Sequence, residues 1–230
     1  MQQSALLNGT SRIVVCWIVI LLIHCGRRGD LRRSPLKQIG HHLHDEPLAP
    51  AAVTPGDSVY QLAISMRDQA DRSMAWLEFR GQLVLIAMFY SHCTYTCPVI
   101  VHKLKEIERA VSDLAKGRLR ILLVSLDPER DTPTVLKELA NAQGLSANWS
   151  LLQVSPSAVQ ELAAVLGVRY RQLADGNFNH SAVITLLDAE GRMVLRLPTL
   201  QEPIDAMRKQ IDELAKRLVA SAEMSDEKRH

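Results

Sequence analysis

From residue 57 onward, apolar and polar positions fall into regular runs. Residues 59–66 alternate around Leu62, Ile64 and Met66, a polar stretch fills 67–72, and 74–79 (MAWLEF) resumes an extended pattern. These two segments predict an antiparallel hairpin. After the turn Arg80-Gly81-Gln82, residues 83–90 (LVLIAMFY) form an unbroken apolar run, the pattern of a central strand buried on both faces. Ile100, Leu104, Ile107, Val111 and Leu114 then recur among charged residues. That spacing predicts one amphipathic helix, opened by Pro98 in its first turn and ended by Gly117.

Residues 118–126 (RLRILLVSL) predict a second buried strand. Thr132-Pro133 and Ser155-Pro156 each pair a capping hydroxyl with a first-turn proline, so helices start at both places and end near Gly144 and Gly167. A short strand at 149–154 lies between them. Strands at 181–187 and 193–197 flank Asp188-Ala189-Glu190-Gly191, a hairpin turn by spacing. Ile204, Met207, Ile211, Leu214 and Leu218 define a closing helix from Pro203 to about Ala220. The predicted order is ββ–β–α–β–α–β–α–β–β–α. It describes an α/β sandwich with a mixed sheet and helices on both faces. One domain, residues 57–220, accounts for this pattern, and 221–230 reads as a disordered tail.

Upstream the pattern changes. Residues 13–25 (IVVCWIVILLIHC) are almost wholly apolar. As a helix they would span roughly 20 Å, short of the ~30 Å hydrocarbon core but suited to a signal peptide or short anchor. Leu22-Ile23-His24-Cys25 loosely matches a lipoprotein signal, but His24 stands where a small residue is wanted, so an uncleaved anchor is the preferred reading. Arg27, Arg28, Arg32, Arg33 and Lys37 follow the run and only Arg12 precedes it. By the positive-inside tendency, that places the following segment in the cytoplasm. Residues 26–56 carry Pro35, Pro47, Pro50, Pro55 and the tract His41-His42-Leu43-His44, without sustained periodicity. They read as a flexible tether, and the histidines as solvated linker residues rather than a metal site.

Composition narrows function. Of 230 residues, 47% are hydrophobic and 23% charged, enough apolar surface for a folded domain. The formal charge of +2 gives no electrostatic footprint for nucleic acid. The cysteines are Cys16, Cys25, Cys93 and Cys97, too few for a disulfide-dense scaffold. Cys93 and Cys97 fall where a buried strand meets a helix N-terminus, whose unpaired N–H groups and positive dipole end stabilise thiolate. Both sulfurs could face one point there, closing a reducible disulfide or gripping a soft metal ion. Two thiolates fall short of the four usual in structural zinc or iron–sulfur sites. A third ligand would come from His92, His102 or His180, and two thiolates with one imidazole suit copper.

These residues resemble the Sco/SenC family of thioredoxin-fold proteins. The resemblance lies in Phe79-Arg80-Gly81-Gln82-Leu83-Val84-Leu85, in Tyr90-Ser91-His92-Cys93-Thr94-Tyr95-Thr96-Cys97-Pro98, in Ser125-Leu126-Asp127-Pro128-Glu129-Arg130-Asp131-Thr132-Pro133, and in Asn179-His180-Ser181 followed by Asp188-Ala189-Glu190-Gly191. It spans residues 57–215. It implies a thioredoxin-like three-layer sandwich that binds one copper ion through Cys93, Cys97 and His180. It further implies a membrane tether at residues 13–25 and a domain exported to the periplasm. The implied partner is the copper-site subunit of cytochrome c oxidase or another exported cuproprotein. Towards that partner the protein would deliver copper to the dinuclear site, or reduce the site's cysteines.

The sequence departs from the family in two places. Thr94-Tyr95-Thr96 stands where the family often has Pro and Asp, and Asn179 stands where it has Asp. Asp127, Glu129, Arg130 and Asp131 could be taken for a catalytic carboxylate cluster, but a strand-to-helix turn with locally paired charges is the preferred reading. The alternative function is a metal-independent thiol–disulfide oxidoreductase in which Cys93 and Cys97 cycle. A peroxide-reducing function lacks its expected motif, because Met88-Phe89-Tyr90-Ser91-His92 precedes Cys93.

Overall fold

The structure is a computed structural model that describes residues 58–227. The expectations for the anchor, the tether and its histidines lie outside the described residues. Strand β3 (Leu83–Phe89) is buried at every position, as its apolar run requires when both sheet faces are covered. It pairs in parallel with β4 (Leu119–Ser125), which pairs in parallel with β5 (Trp149–Val154). On its other side it pairs antiparallel with β8 (Ile184–Leu187), and β8 with β9 (Met193–Leu197). A two-residue hairpin, β1 (Met66–Arg67) and β2 (Ser73–Met74), adds antiparallel to β5. The sheet therefore runs β2-β1-β5-β4-β3-β8-β9.

The helices are α1 (Thr96–Ala110), α2 (Asp113–Lys116), α3 (Pro133–Ala142), α4 (Pro156–Leu166) and α5 (Asp205–Glu227). Helices α1 and α5 pack on β3 and on each other, while α3 packs on β5. The cap-plus-proline signals act as read. Thr132 accepts a bond from the Val135 N–H and Ser155 one from the Ala158 N–H, and Gly167 closes α4 in the left-handed region. No helix among the described residues is long and apolar enough to cross a membrane.

Three predicted elements differ, and a fourth element was not predicted. The leading hairpin is shorter and shifted, and residues Val59–Gln61 and Trp76–Phe79 are 3-10 turns. Their apolar residues turn inward, burying Val59, Trp76 and Phe79, with Tyr60 stacked on Trp76 at 5.9 Å between centroids. The single helix predicted to reach Gly117 breaks at Val111, where the chain becomes extended and Ser112 caps α2. Leu114 is consequently exposed and Ala115 takes the buried place. Helix α5 runs past Ala220 into the segment read as a tail, because Ala220, Ala222, Glu223 and Met224 are good helix formers with no Gly or Pro among them. The fourth is a second hairpin that sequence patterning missed, β6 (Tyr170–Gln172) with β7 (Phe178–His180), separate from the main sheet.

The turn after β8 locks the entry segment to the sheet. Asp188 Oδ1 accepts the N–H groups of Glu190 and Arg192, and the Gly191 carbonyl accepts that of Val59. Gly191 has φ +80°, and a Cβ there would lie 2.5 Å from the Tyr60 ring. Gly81 shares φ +80° but has nothing within 4 Å of such a Cβ. Gly81→Ala should therefore cost about 1 kcal/mol of backbone strain and Gly191→Ala about 3 kcal/mol, as strain and clash combine. Urea unfolding of the two variants checks this, and equal losses would contradict the packing of Tyr60.

Candidate metal centre

The cysteine turn is built by the end of β3 and the start of α1. Helix α1 has no side-chain cap at Tyr95. Instead, the Cys93 sulfur accepts the Cys97 N–H at 3.2 Å and so takes the role of a capping oxygen. That use folds the turn back on itself and brings Cys93 beside Cys97 in the first helical turn. Both thiols are free, Cys93 half-buried and Cys97 buried.

His180 arrives from the opposite side. It is the last residue of β7, where Tyr170 pairs with it in the separate hairpin. Its Nε2 lies 3.6 Å from Cys97 Sγ. Its Nδ1 is 3.2 Å from the Ser181 carbonyl. An N–H at Nδ1 donating to that carbonyl leaves the Nε2 lone pair facing the sulfurs, the arrangement that a metal-binding imidazole needs. Among the described residues, Cys93, Cys97 and His180 form the group able to hold a metal, with their donor atoms all within 4.8 Å of one another. His92 and His102, the other candidates from sequence, are exposed and outside this group.

The two thiols differ. Burial alone would raise the pKa of Cys93, but hydrogen bonds from the Cys97 side chain and from the backbone of Cys97, Tyr95 and Thr96 outweigh it and lower it. Burial raises Cys97 strongly, a hydrogen bond from the Tyr90 backbone opposes this, and the neighbouring Cys93 adds to the rise. Burial also lowers His180, partly offset by its bond to Ser181, which favours the neutral, ligating ring. Cys93 is thus the more acidic of the two thiols, and a bound cation is the charge that would compensate for deprotonating buried Cys97.

Residues that sequence reasoning did not assign to the site hold these three in place. Tyr90, buried at the end of β3, donates from its hydroxyl to the Phe178 carbonyl at 3.1 Å and meets the His180 ring edge-on at 5.9 Å. The Cys93 N–H bonds to the Tyr90 carbonyl at 3.3 Å, so one residue contacts both halves of the site. Asp131 is fully buried. Its carboxylate accepts the Ser91 N–H at 3.1 Å, the Ser91 hydroxyl, and the Ser125 hydroxyl at 2.6 Å. Asp127 pairs with Arg130, whose guanidinium reaches the Gly176 carbonyl at 2.5 Å in the β6–β7 turn. The charged stretch is therefore structural, as preferred from sequence, but it is more than a local turn. It ties the cysteine loop and the histidine hairpin to the end of β4.

Loss of that strap has a measurable consequence. Arg130→Ala should loosen the β6–β7 hairpin by about 1–2 kcal/mol, the worth of a charge-assisted hydrogen bond. Hydrogen exchange of residues 170–180 is expected to quicken by roughly tenfold while the β3–β4 amides stay protected. Unchanged exchange in the hairpin would mean that Arg130 does not hold it.

A mixed α/β sheet of thioredoxin-like type, carrying two thiols at a helix start and a facing imidazole, defines a soft-metal or dithiol site. Residues 55–216 match the SCO1/SenC family, and the chain belongs to it. The chain is 34% identical over 88 residues to the bovine (Bos taurus) mitochondrial SCO2 homolog, an alignment covering 38% of this chain and 31% of that one. Aligned segments span 31%, 29% and 66% of three curated relatives, in each case less than two thirds of their length. Yeast Sco1 with copper bound superposes with TM-score 0.57 at 22% identity, over 73% of this chain and 90% of that one. BsSco, described as a Sco-family cytochrome c oxidase assembly protein with a disulfide switch, superposes with TM-score 0.57 at 20% identity, over 66% and 90%.

Proposed function

We propose that this protein binds one copper ion through Cys93, Cys97 and His180 and serves the assembly of a cuproprotein. In that role it delivers copper to the dinuclear site of cytochrome c oxidase or reduces that site's cysteines. The observation that carries the reading is the convergence of Cys97 Sγ in α1 and His180 Nε2 in β7 to 3.6 Å. Two sulfurs and one imidazole are a soft donor set that suits copper in either oxidation state. Family membership and the copper-bound relative support the choice of metal. In the same proposal, residues 13–25 tether the chain to the inner membrane with the domain in the periplasm. The apolar run supports the tether, and the basic residues after it argue for the opposite orientation.

Titration of the reduced full chain with Cu(I), followed by competition with a chromophoric chelator, tests the proposal. One ion per chain is expected, and the Cys93→Ala/Cys97→Ala double variant should bind none with comparable affinity. Equal uptake by that variant would overturn the site.

A thiol–disulfide exchange function has its own support in the unequal thiols, with Cys93 suited to attack and Cys97 shielded. Reduction of a disulfide substrate by the copper-free chain, undiminished in His180→Ala, would favour that reading over copper delivery.

A further inference from the structure

Two open clefts adjoin beside the site. One, about 370 Å³, is lined by His180 and Asn179 together with Arg169 and Arg171. The other, about 540 Å³, begins at Tyr95 and Thr96 between the cysteines and continues past Val99 to Leu200. Arg169 and Ser181 line both, so the two adjoin as one trough that takes in His180 and the residues between the cysteines. Its lining contains two arginines and no carboxylate. Neither arginine makes an ion pair among the described residues, and both are exposed. At the apolar end, Tyr95 is 85% exposed and Val99 49%. An aromatic ring so open to water, directly between two ligands, is not part of the core.

We propose that this trough is the docking site for an acidic segment of the partner protein, one that presents Asp or Glu beside an apolar side chain. The inference rests on the copper-handling function above and names the chemistry of its recipient. Unpaired arginines at one end select carboxylates, while Tyr95 and Val99 offer an apolar anchor at the other. Tyr and Arg are the residue types that most often dominate binding energy at protein interfaces. A segment lying along the trough would pass over His180 and over Tyr95 and Thr96, the residues between the two cysteines. An anionic membrane is the poorer occupant, because the surface is concave and carries two arginines, whereas lipid-binding patches gather about 4–8 basic residues. The backbone of Arg169 is fixed by Ser181, whose hydroxyl accepts its N–H at 2.9 Å and whose N–H it accepts at 2.8 Å. Substituting the Arg169 side chain therefore leaves the hairpin's own bonds intact.

A display library of short random peptides, selected against the full chain, tests this. The selected pool should be enriched in Asp and Glu next to aromatic or aliphatic residues. Affinity of the most enriched peptide, read by fluorescence anisotropy, should fall by about tenfold or more in Tyr95→Ser and in Arg169→Glu/Arg171→Glu. The milder Arg169→Gln/Arg171→Gln pair should show an intermediate loss with an unchanged melting temperature. A peptide whose carboxylates are replaced by amides should bind wild type and charge-reversed chain alike. A pool without acidic enrichment, or binding indifferent to these variants, would overturn the proposal. So would a charge-reversal effect seen only on phosphatidylserine–phosphatidylcholine vesicles, which would make the patch a membrane surface. Peptide binding needs no copper, so failure of docking and failure of copper uptake are read separately.

Discussion

His180→Ala is expected to abolish Cu(II) binding and to spare Cu(I) binding in part. The physical reason lies in the donor count. With the imidazole gone, Cys93 and Cys97 remain, two soft donors that can still satisfy Cu(I) but leave Cu(II) without its nitrogen ligand. The loss should be at least about 100-fold in Cu(II) affinity, at the upper end of what even a supporting residue around a metal can cost. The fold should survive. The ring is half-buried and its contacts besides Cys97 are the edge of Tyr90 and the Ser181 carbonyl, so the residue sits at the rim rather than in the core. Disappearance of the thiolate-to-Cu(II) charge-transfer absorption, with the melting temperature nearly unchanged, is the expected result. A His180→Ala chain that still binds Cu(II) with wild-type affinity and spectrum would remove His180 from the site. His92→Ala should leave both unchanged, because that ring is exposed and bonds to Ser91.

Asp131→Ala is expected to produce the largest stability loss of any substitution around the site. The carboxylate is fully buried and accepts the Ser91 N–H, the Ser91 hydroxyl and the Ser125 hydroxyl. Alanine leaves these donors without their shared acceptor, and the Ser125 hydroxyl among them is fully buried. An unsatisfied buried donor costs about 1–3 kcal/mol, so the total should reach about 3–5 kcal/mol after partial relaxation. Asp131→Asn keeps one acceptor oxygen and the serine hydroxyls can rotate to meet its amide, so about half of that loss is expected. The effect should reach the metal centre too, because Ser91 lies two residues before Cys93. Urea denaturation measures the stability and copper titration the site. A loss of under about 1 kcal/mol for Asp131→Ala would show that water or a shifted serine replaces the carboxylate.

Much of this was legible without coordinates. The run at 83–90 reads as a strand covered on both faces, and β3 is that strand. The hydroxyl-plus-proline pairs set the starts of α3 and α4 because capping is local chemistry, settled within four residues. Cys93 and Cys97 were likewise readable as one unit, since a strand end and a helix start within five residues leave the two sulfurs little freedom. The short elements failed for a physical reason. Residues 59–61 and 76–79 have strand-like composition, but their aromatics bury better against one another than in a pleated ladder.

The partner of those cysteines was of another kind. Sequence left His92, His102 and His180 all open as the third ligand, and the family resemblance, not spacing, implied His180. Tertiary structure decided it. The β6–β7 hairpin, invisible because its strands are three residues long and mostly polar, turns His180 towards Cys97 across 83 residues of chain. The same holds for Tyr90, Arg130 and Asp131, whose roles depend on which distant carbonyl or hydroxyl comes within 3 Å or so. A sequence specifies its own local bonds, because neighbours along the chain have few ways to avoid each other. It carries no comparable signal for contacts that exist only once the sheet has brought the ends of β3, β4 and β7 to one rim. By itself the sequence determined a dithiol at a helix start in an α/β sheet, and folding decided that an imidazole completes it.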